Sequence, residues 1–569
     1  MARPPAGRLV AMFSVLALGL VAVGTRLVLL QVRDGRAYES LAAEQRVRRI
    51  PLPAERGTLY DRSMHELALS LPAKAVFADP GLVVDAADAA SRLAPLLGVP
   101  EPKLLRSLND KSRFEYLARR VDLSVAERIE ELELPGISFL DEPKRQYPGG
   151  ALAAQVLGFV GIDGAGLSGL ELQYEEVLSG RAGAVVVEQD PDGLSIPQGM
   201  RRTTAPQRGR DLVLTLDKDI QFHAERALAD AIRRNGAIGG TVVVLDPATG
   251  DVLAMATEPG FDANGFDTAP PALTRNRSVT DVYEPGSVNK VITAAAALEE
   301  GVITPSERMW VPARIQVADR MFQEAHPHPT MPMTITDIIA QSSNVGTIMT
   351  ADQLGSVRLD AYLRAFGFGS TTGIGFPGEA DGILMPVEDW WGTSMATIPI
   401  GQGIAVTPLQ MASVYATLAA GGVRMPPRLV RGTLDDHGRL VPAPSPDGDR
   451  VVSRRTARLL TGMLSHAVAA GTGREAQIPG YWVAGKTGTA RKPLEDALGY
   501  SDQYVASFIG FAPARDPAVV VAAILDEPDT VYGGVASAPL FREVAHFALA
   551  HLHVPTNEPP QVPPAVVDG

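Results

Sequence analysis

The stretch Glu284-Pro285-Gly286-Ser287-Val288-Asn289-Lys290 decides how this chain is read. Pro285 and Gly286 interrupt the chain, and the run Val288–Glu300 that follows is rich in helix formers and stops at Gly301. Ser287 is therefore expected at a helix N-terminus, with Lys290 three residues on and one turn away on the same face. A serine hydroxyl is a poor nucleophile until a base takes its proton. A lysine can be that base when desolvation or nearby positive charge lowers its pKa. The helix N-terminus adds a positive field and free N–H groups. Taken alone, Ser287 reads as an N-cap and Lys290 as a solvated charge. The flanking sequence changes that reading: Val291–Leu298 is almost wholly apolar, so the helix is expected to be buried, and a buried lysine needs a reason.

Two further segments supply the rest of a catalytic set. Ser342-Ser343-Asn344 lies between the helical runs Ile335–Ala340 and Val345–Leu354. In isolation such a triplet caps two helix ends. Placed in a cleft, Ser342 can relay a proton between Lys290 and a leaving group, and Asn344 can donate to a substrate amide and hold the lysine. Lys486-Thr487-Gly488-Thr489 ends a strand that begins near Trp482. Gly488, without a side chain, is expected to let a ligand backbone lie against that strand. Lys486 and the two threonine hydroxyls suit a carboxylate. The N–H groups of Ser287 and Thr489 together can form an oxyanion hole, worth roughly 3–4 kcal/mol per donor.

The same region matches a phosphate-loop pattern, Gly480 through Gly485-Lys486-Thr487, and Val519–Leu525 before Asp526-Glu527 resembles a magnesium-binding strand end. The pattern lacks its context. Tyr481-Trp482-Val483-Ala484 favours an extended strand over a tight curl, and the residues up to Pro493 cannot promptly open a helix toward a phosphate.

Around these motifs the chain reads as layers. Asp211–Leu216 alternates as a strand, and Ile220–Asn235 reads as a helix ended by Gly236. Thr241–Leu245 and Val252–Thr257 flank the turn Asp246–Gly250 as a hairpin. Helices are expected to dominate from Val288 to Ala419. Strands return at Trp482–Thr489, Tyr504–Phe511 and Ala518–Leu525, before a last helix at Ala538–His551. That order predicts an α+β domain whose antiparallel sheet is drawn from both ends of the segment and flanked by helices. The region before it, about 45 to 205, is irregular and mixed α and β, with a helix over Asp122–Leu134, a strand at Ala184–Glu188 and a turn at Asp190–Gly193. Gln31–Arg49 looks like a helical stalk.

Composition narrows the classes. The 569 residues call for two to four domains, on a prior of ~150 residues each. A net charge of −13 is poorly suited to nucleic acid, whose phosphates are bound mainly by Lys and Arg. Without a cysteine there is no disulfide, thiolate metal site or cysteine nucleophile. His326 and His328, two apart in a Pro-rich stretch, read as loop, so neither metal nor cofactor is expected. Leu9–Thr25 runs uncharged, and after Arg26 the apolar character resumes over Leu27–Val32. This is longer than a signal-peptide core and fits an uncleaved anchor, with Arg26 snorkelling to the interface. The short tail before Leu9 is expected in the cytoplasm and everything after about residue 33 outside.

Together, Ser287-x-x-Lys290, Ser342-x-Asn344 and Lys486-Thr487-Gly488 resemble the motifs of the penicillin-binding proteins. Arg56-Gly57-Thr58-Leu59-Tyr60-Asp61-Arg62 is similar to the segment opening the non-catalytic domain of their class B branch. Tyr147-Pro148-Gly149, Gly158–Gly161 and Gly169-Leu170-Glu171 look like later signatures of that domain, and Gly401-Gln402-Gly403 with Thr407-Pro408 like another family segment. The resemblance covers nearly everything after residue 40. It implies a cytoplasmic tail at 1–8, a transmembrane anchor at 9–32, a non-catalytic dimerisation or pedestal domain at 33–205, a transpeptidase domain at 206–553 and a disordered Pro-rich tail at 554–569. It also implies a peptidoglycan D,D-transpeptidase, most like the division-specific enzymes, that cross-links stem peptides through a Ser287 acyl-enzyme. Lys290 would be the base, Ser342 and Asn344 relay and positioning groups, and Lys486, Thr487, Gly488 and Thr489 the binding strand for the donor carboxylate. β-Lactams would acylate Ser287 as substrate mimics. A membrane-embedded glycan polymerase and division proteins are the partners implied. The alternatives are an elongation-specific transpeptidase, a D,D-carboxypeptidase, or a non-catalytic wall-synthesis scaffold.

Overall fold

A computed structural model describes residues 6–29, 47–188, 200–445, 447–494, 499–530 and 532–557. Most of the stalk expected over Gln31–Arg49, the whole turn expected at Asp190–Gly193 and the tail from 558 onward lie outside the described residues. The last part of that expected stalk, from Val47, opens a strand instead of continuing a helix.

The first helix, α1 (Ala6–Val28), is the one element among the described residues long and apolar enough to cross a membrane: Gly7–Val28 has a mean hydropathy of 2.0, and none of it is buried against protein. Twenty-two residues at 1.5 Å rise span the ~30 Å of a bilayer core. Arg26 falls in its last turn, where its stem can reach the interface.

The chain divides into two compact units. One comprises Leu71–Lys144, Gly180–Gly209 and the chain before Arg56. Within it, Gly183–Glu188 pairs with Val47–Leu52 and Arg201–Thr204, all antiparallel. A second ladder has Ala73–Ala78 between Glu115–Asp122 and Ile137–Asp141. Its core is Val76, Leu93, Leu104, Leu117 and Ile129. The helix expected over Asp122–Leu134 spans Leu123–Glu130.

The other unit takes Arg56–Ser70, Arg145–Ser179 and everything from Arg210. The domain boundaries read from sequence put the first two segments in the 33–205 domain, whereas by packing they share the core of this unit, through Leu59, Tyr147, Val156 and Leu170. The reason is electrostatic as well as apolar. Glu171, fully buried, accepts from Arg56 and from Arg145 Nε (2.7 Å), and the Tyr147 hydroxyl lies 3.3 Å away. A buried carboxylate is tolerable only with such partners. The signature residues of the non-catalytic region thus converge on one charge cluster.

The centre of this unit is a five-stranded antiparallel sheet. Its strands are β1 (Gly239–Leu245), β2 (Val252–Glu258), β3 (Ala484–Pro493), β4 (Tyr500–Ala512) and β5 (Val519–Asp526), in the order β2-β1-β5-β4-β3. Both ends of the segment supply strands, as the sequence pattern predicts. The strands are apolar on both faces because both are covered. Val242, Val244, Phe508 and Val521 meet α2 (Lys218–Asn235) and the C-terminal helix, while Val243, Leu245, Ile509 and Val520 join a larger core. That larger core holds α3 (Lys290–Glu299), α4 (Ile335–Gln341), α5 (Asn344–Leu354), α6 (Pro408–Ala419) and α7 (Arg454–Ala469). The C-terminal helix is α8 (Ala538–His551). Asp217 caps α2, and Gly236 ends it in the left-handed conformation.

The stretch from Val288 to Ala419 is less uniformly helical than its sequence suggests. Met309–Val311 pairs with Met331–Met333, and Arg314–Val317 with Arg320–Gln323, as two small antiparallel ladders. Pro312, Pro327, Pro329 and Pro332 deny this segment a helix. The phosphate-loop match resolves as a strand: β3 runs through Lys486 and Thr487 to Pro493 and opens no helix.

Candidate active site

Ser287 sits in a single 3₁₀ turn, Gly286–Asn289, that runs directly into α3. Gly286 has φ +58° and donates its N–H to Gly401 O at 2.9 Å. Gly401 approaches so closely that a Cβ there would lie 2.2 Å from Gly286 O, so its glycine is dictated by packing against the Ser287 turn. Glu284 Oε1 accepts the Gly403 N–H at 2.8 Å and tightens the same junction.

Lys290 opens α3 and is fully buried. Its Nζ donates to Ser342 O (2.6 Å), Ser342 Oγ (3.3 Å) and Asn344 Oδ1 (2.7 Å). Ser342 can present both oxygens because it ends α4 in the left-handed conformation, φ +60°. Among the described residues Lys290 forms no direct hydrogen bond to Ser287; such contacts commonly tighten only when substrate binds. Burial pushes the Lys290 ammonium down to about 7, against the pull of the Glu324 carboxylate, which favours the charged form.

Glu324 has no spacing in the sequence that links it to the motifs, and the sequence reading missed it. It follows the ladder strand Arg320–Gln323 and is buried. It accepts from the Ser343 hydroxyl and the Asn344 N–H (2.8 Å), with the Val345 N–H at 3.2 Å. These donors form the N-terminus of α5, so one carboxylate caps the helix that carries Asn344. Asn344 Nδ2 donates to Gln323 O at 3.2 Å. The amide oxygen that holds Lys290 is thereby fixed by the ladder.

On the opposite side, β3 is the edge strand of its sheet, which leaves backbone groups along one side free of sheet partners. Lys486 is fully buried, with Nζ 3.1 Å from Thr487 O and 3.3 Å from Thr487 Oγ1. Burial, and then the charge of Lys290, hold its ammonium well below the ordinary lysine range. Thr487 and Thr472 share a hydroxyl hydrogen bond of 2.9 Å, and Thr489 Oγ1 accepts the Gly533 N–H at 3.2 Å.

A cleft of about 780 Å³ brings these residues together: Ser287, Ser342, Asn344, Thr487 and Thr489 line it, with Lys290 and Lys486 buried beneath. His326, expected as plain loop, also lines it. Gly488 does not. A Cβ there would meet Ser507 Oγ at 2.2 Å and Val288 Cγ1 at 3.0 Å. Its missing side chain makes room for Ser507 of the neighbouring strand and for Val288 of the Ser287 turn.

A buried lysine lowered to about 7, one turn from a serine at a helix start and facing a strand edge across a cleft, has the chemistry a serine acyltransferase requires. Comparison with known proteins agrees with that class. Residues 240–546 match the penicillin-binding protein transpeptidase domain, and residues 51–214 match the penicillin-binding protein dimerisation domain. The chain belongs to the penicillin-binding proteins, in their class B branch. Penicillin-binding protein PbpB of Mycolicibacterium smegmatis is 37% identical over 96% of this chain and 90% of its own length. Peptidoglycan D,D-transpeptidase FtsI of Escherichia coli is 35% identical over 88% of this chain and 84% of its own. Penicillin-binding protein 3 of Mycobacterium tuberculosis, solved in complex with ampicillin, superposes with a TM-score of 0.72 at 34% identity, over 90% of this chain and 99% of that one.

Proposed function

We propose that this chain is a peptidoglycan D,D-transpeptidase of septal wall synthesis, with Ser287 as its nucleophile. The observation that carries the reading is Lys290: fully buried, near neutrality, and held by Ser342 and Asn344 one turn from Ser287. Neutral Lys290 takes the Ser287 hydroxyl proton as Oγ attacks the carbonyl between the two terminal D-alanines of a donor stem. The N–H groups of Ser287 and Thr489 receive the oxyanion. Collapse breaks the peptide bond. The departing D-alanine amine gains the proton from Lys290 by way of the Ser342 hydroxyl, and Ser287 is left as an ester. An amine of a neighbouring stem then attacks that ester, loses its proton back through Lys290, and frees Ser287 as the cross-link forms. Lys486, Thr487 and Thr489 hold the donor's terminal carboxylate. β-Lactams acylate the same oxygen on this reading, and the M. tuberculosis relative has been solved in complex with ampicillin.

The division assignment follows the relatives, among them FtsI and stage V sporulation protein D of Bacillus subtilis. In the topology proposed here, α1 anchors the chain once, with its short N-terminal segment in the cytoplasm and the catalytic domain outside. The non-catalytic domain engages a membrane-embedded glycan polymerase and division proteins.

The test is labelling with a fluorescent penicillin, wild type beside Ser287→Ala, with mass spectrometry of the adduct. A stable adduct on the Ser287 peptide, absent from the variant, is expected. Supplying a glycan polymerase and lipid-linked precursor to the detergent-solubilised chain should then yield cross-linked stems. Release of D-alanine without cross-links would turn the reading into a carboxypeptidase, and a folded chain that takes no label would make it a scaffold.

A further inference from the structure

A second cavity of about 240 Å³ shares no lining residue with the cleft. One wall is the segment Arg277–Glu284, which ends three residues before Ser287; another is the far part of β3, Ala490–Pro493. Its apolar surface comes from Pro408, Ala490, Val505 and Ile524.

The polar groups of this cavity divide into two sets. The first is satisfied. Arg277 pairs with Asp526 (2.7 Å) and Asp281 (3.1 Å), and Lys492 pairs with Asp526 (3.0 Å) and Glu527 (2.6 Å). The second set is not. Among the described residues, Thr241 Oγ1, Tyr283 OH and Glu284 Oε2 are buried and have no hydrogen-bond partner, and all three residues line this one cavity. Thr241 is only 5% exposed. The other Glu284 oxygen is already taken by the Gly403 N–H and, at 3.1 Å, by the Tyr500 hydroxyl. Folded proteins rarely leave a buried oxygen unpaired, and three around one cavity point to an occupant.

The chemistry of the three oxygens selects that occupant. A carboxylate oxygen only accepts, and hydroxyls can accept. A primary ammonium offers three N–H donors and no acceptor, together with a charge that Glu284 favours; of the lining cations, Arg277 and Lys492 are paired with carboxylates, and Arg491 is held against the Tyr504 ring and hydroxyl. The apolar surface requires a hydrocarbon body. We propose that this cavity is a second ligand site of the protein, for a small primary amine with an apolar body of roughly a dozen heavy atoms or fewer. The site is separate from the acylation cleft, yet its walls are continuous with both the nucleophile turn and the binding strand. A Cβ on Gly286 would lie 2.9 Å from Thr489 O and 3.3 Å from the Ala490 Cβ, so the two walls are in contact at their Ser287 end.

The test uses the detergent-solubilised full chain with Ser287 first acylated by ampicillin, which closes the cleft to the probe. Benzylamine is titrated by ligand-observed NMR, beside benzyl alcohol and benzoate. Saturable benzylamine binding is expected, with benzoate silent. Thr241→Val and Tyr283→Phe should each weaken benzylamine about 5-fold or more, the size expected for one lost hydrogen bond. Labelling by fluorescent penicillin should persist in both variants and so report their fold. Absence of saturable binding would overturn the proposal, as would affinity unchanged in both variants, benzoate binding as tightly as benzylamine, or a crystal soaked with benzylamine that holds only water on the three oxygens.

Discussion

The rate at which Ser287 is acylated should depend on pH with a midpoint near 7, and Glu324→Gln should move that midpoint down. The wild-type value follows from Lys290, whose ammonium burial lowers to about 7. Only the neutral amine accepts the serine proton, so the rate follows the neutral fraction. That fraction is roughly 0.1 at pH 6 and 0.9 at pH 8, a rise of about tenfold that then levels off. A lysine with an ordinary pKa would instead rise about 100-fold over the same interval without levelling. In the variant, a carboxylate that favours the charged amine is gone, so the amine loses its proton at lower pH. A second effect runs the other way. Glutamine has one accepting oxygen where Glu324 uses both, and either the Ser343 hydroxyl or the Asn344 N–H loses its partner. An unpaired buried group costs about 1–3 kcal/mol. The plateau rate should therefore fall while the midpoint moves acidward. Rapid-mixing fluorescence with a labelled penicillin at saturating concentration reads both quantities from pH 5 to 9. Saturation isolates the chemical step from carboxylate binding, the role proposed for Lys486. A wild-type midpoint near 9 or above, or an upward shift in the variant, would refute the assignment of Lys290 as the base.

Other expectations follow from packing and burial. Gly488→Ala should abolish penicillin labelling while the chain stays folded, because the new methyl meets Ser507 Oγ of β4 at 2.2 Å and Val288 Cγ1 of the Ser287 turn at 3.0 Å, and so wedges β3 from that turn; normal labelling would show that the strand can give. Glu171→Ala leaves the Arg56 and Arg145 guanidiniums buried without their carboxylate, and should cost about 3–5 kcal/mol in denaturant unfolding. Glu225, buried beneath the Ala153 N–H and Gln221, has its carboxyl raised to about 7. A folded pKa above the unfolded value means stability is fully present below about 4.5 and is lost as pH rises toward 7, by at most ~3 kcal/mol. Glu225→Gln should flatten that slope, and unfolding midpoints compared at pH 5 and pH 8 decide it.

What the sequence made legible was whatever depends on local spacing. Ser287 and Lys290 are three apart, so a helix start alone puts them on one face. The hairpin of β1 and β2 and the helix ended by Gly236 likewise follow from periodicity and turn residues. Glu324 was invisible for the opposite reason. It reaches the Ser343–Val345 backbone only because an irregular, proline-interrupted ladder folds back over α5, and no periodicity encodes that return. The position of Gly488 was legible but its purpose was not, since which side of an edge strand faces the cleft depends on register with β4. The segments Arg56–Ser70 and Arg145–Ser179 could be recognised as signatures, yet nothing in their spacing says that Glu171 gathers Arg56 and Arg145 into one core.

The two buried lysines explain why the site needs so many neutral oxygens. Lys290 and Lys486 both bear the full cost of desolvation, and the charge of Lys290 further disfavours that of Lys486. Lys290 is surrounded by a carbonyl, a hydroxyl and an amide oxygen, which steady an amine without fixing its charge, and the neighbouring carboxylate, Glu324, is spent on the α5 backbone and Ser343. Among the described residues, Lys486 donates only to Thr487 oxygens. Among the described residues, then, no counter-charge is dedicated to Lys486. A donor or β-lactam carboxylate arriving at Thr487 and Thr489 would supply it, favouring the Lys486 ammonium. A charged Lys486 in turn disfavours a second ammonium at Lys290, offsetting the opposite pull of the incoming carboxylate on that amine. On the proposed mechanism the base is thus kept available by the same binding event that delivers the carbonyl to Ser287, and the burial of both lysines is what makes their protonation states interdependent.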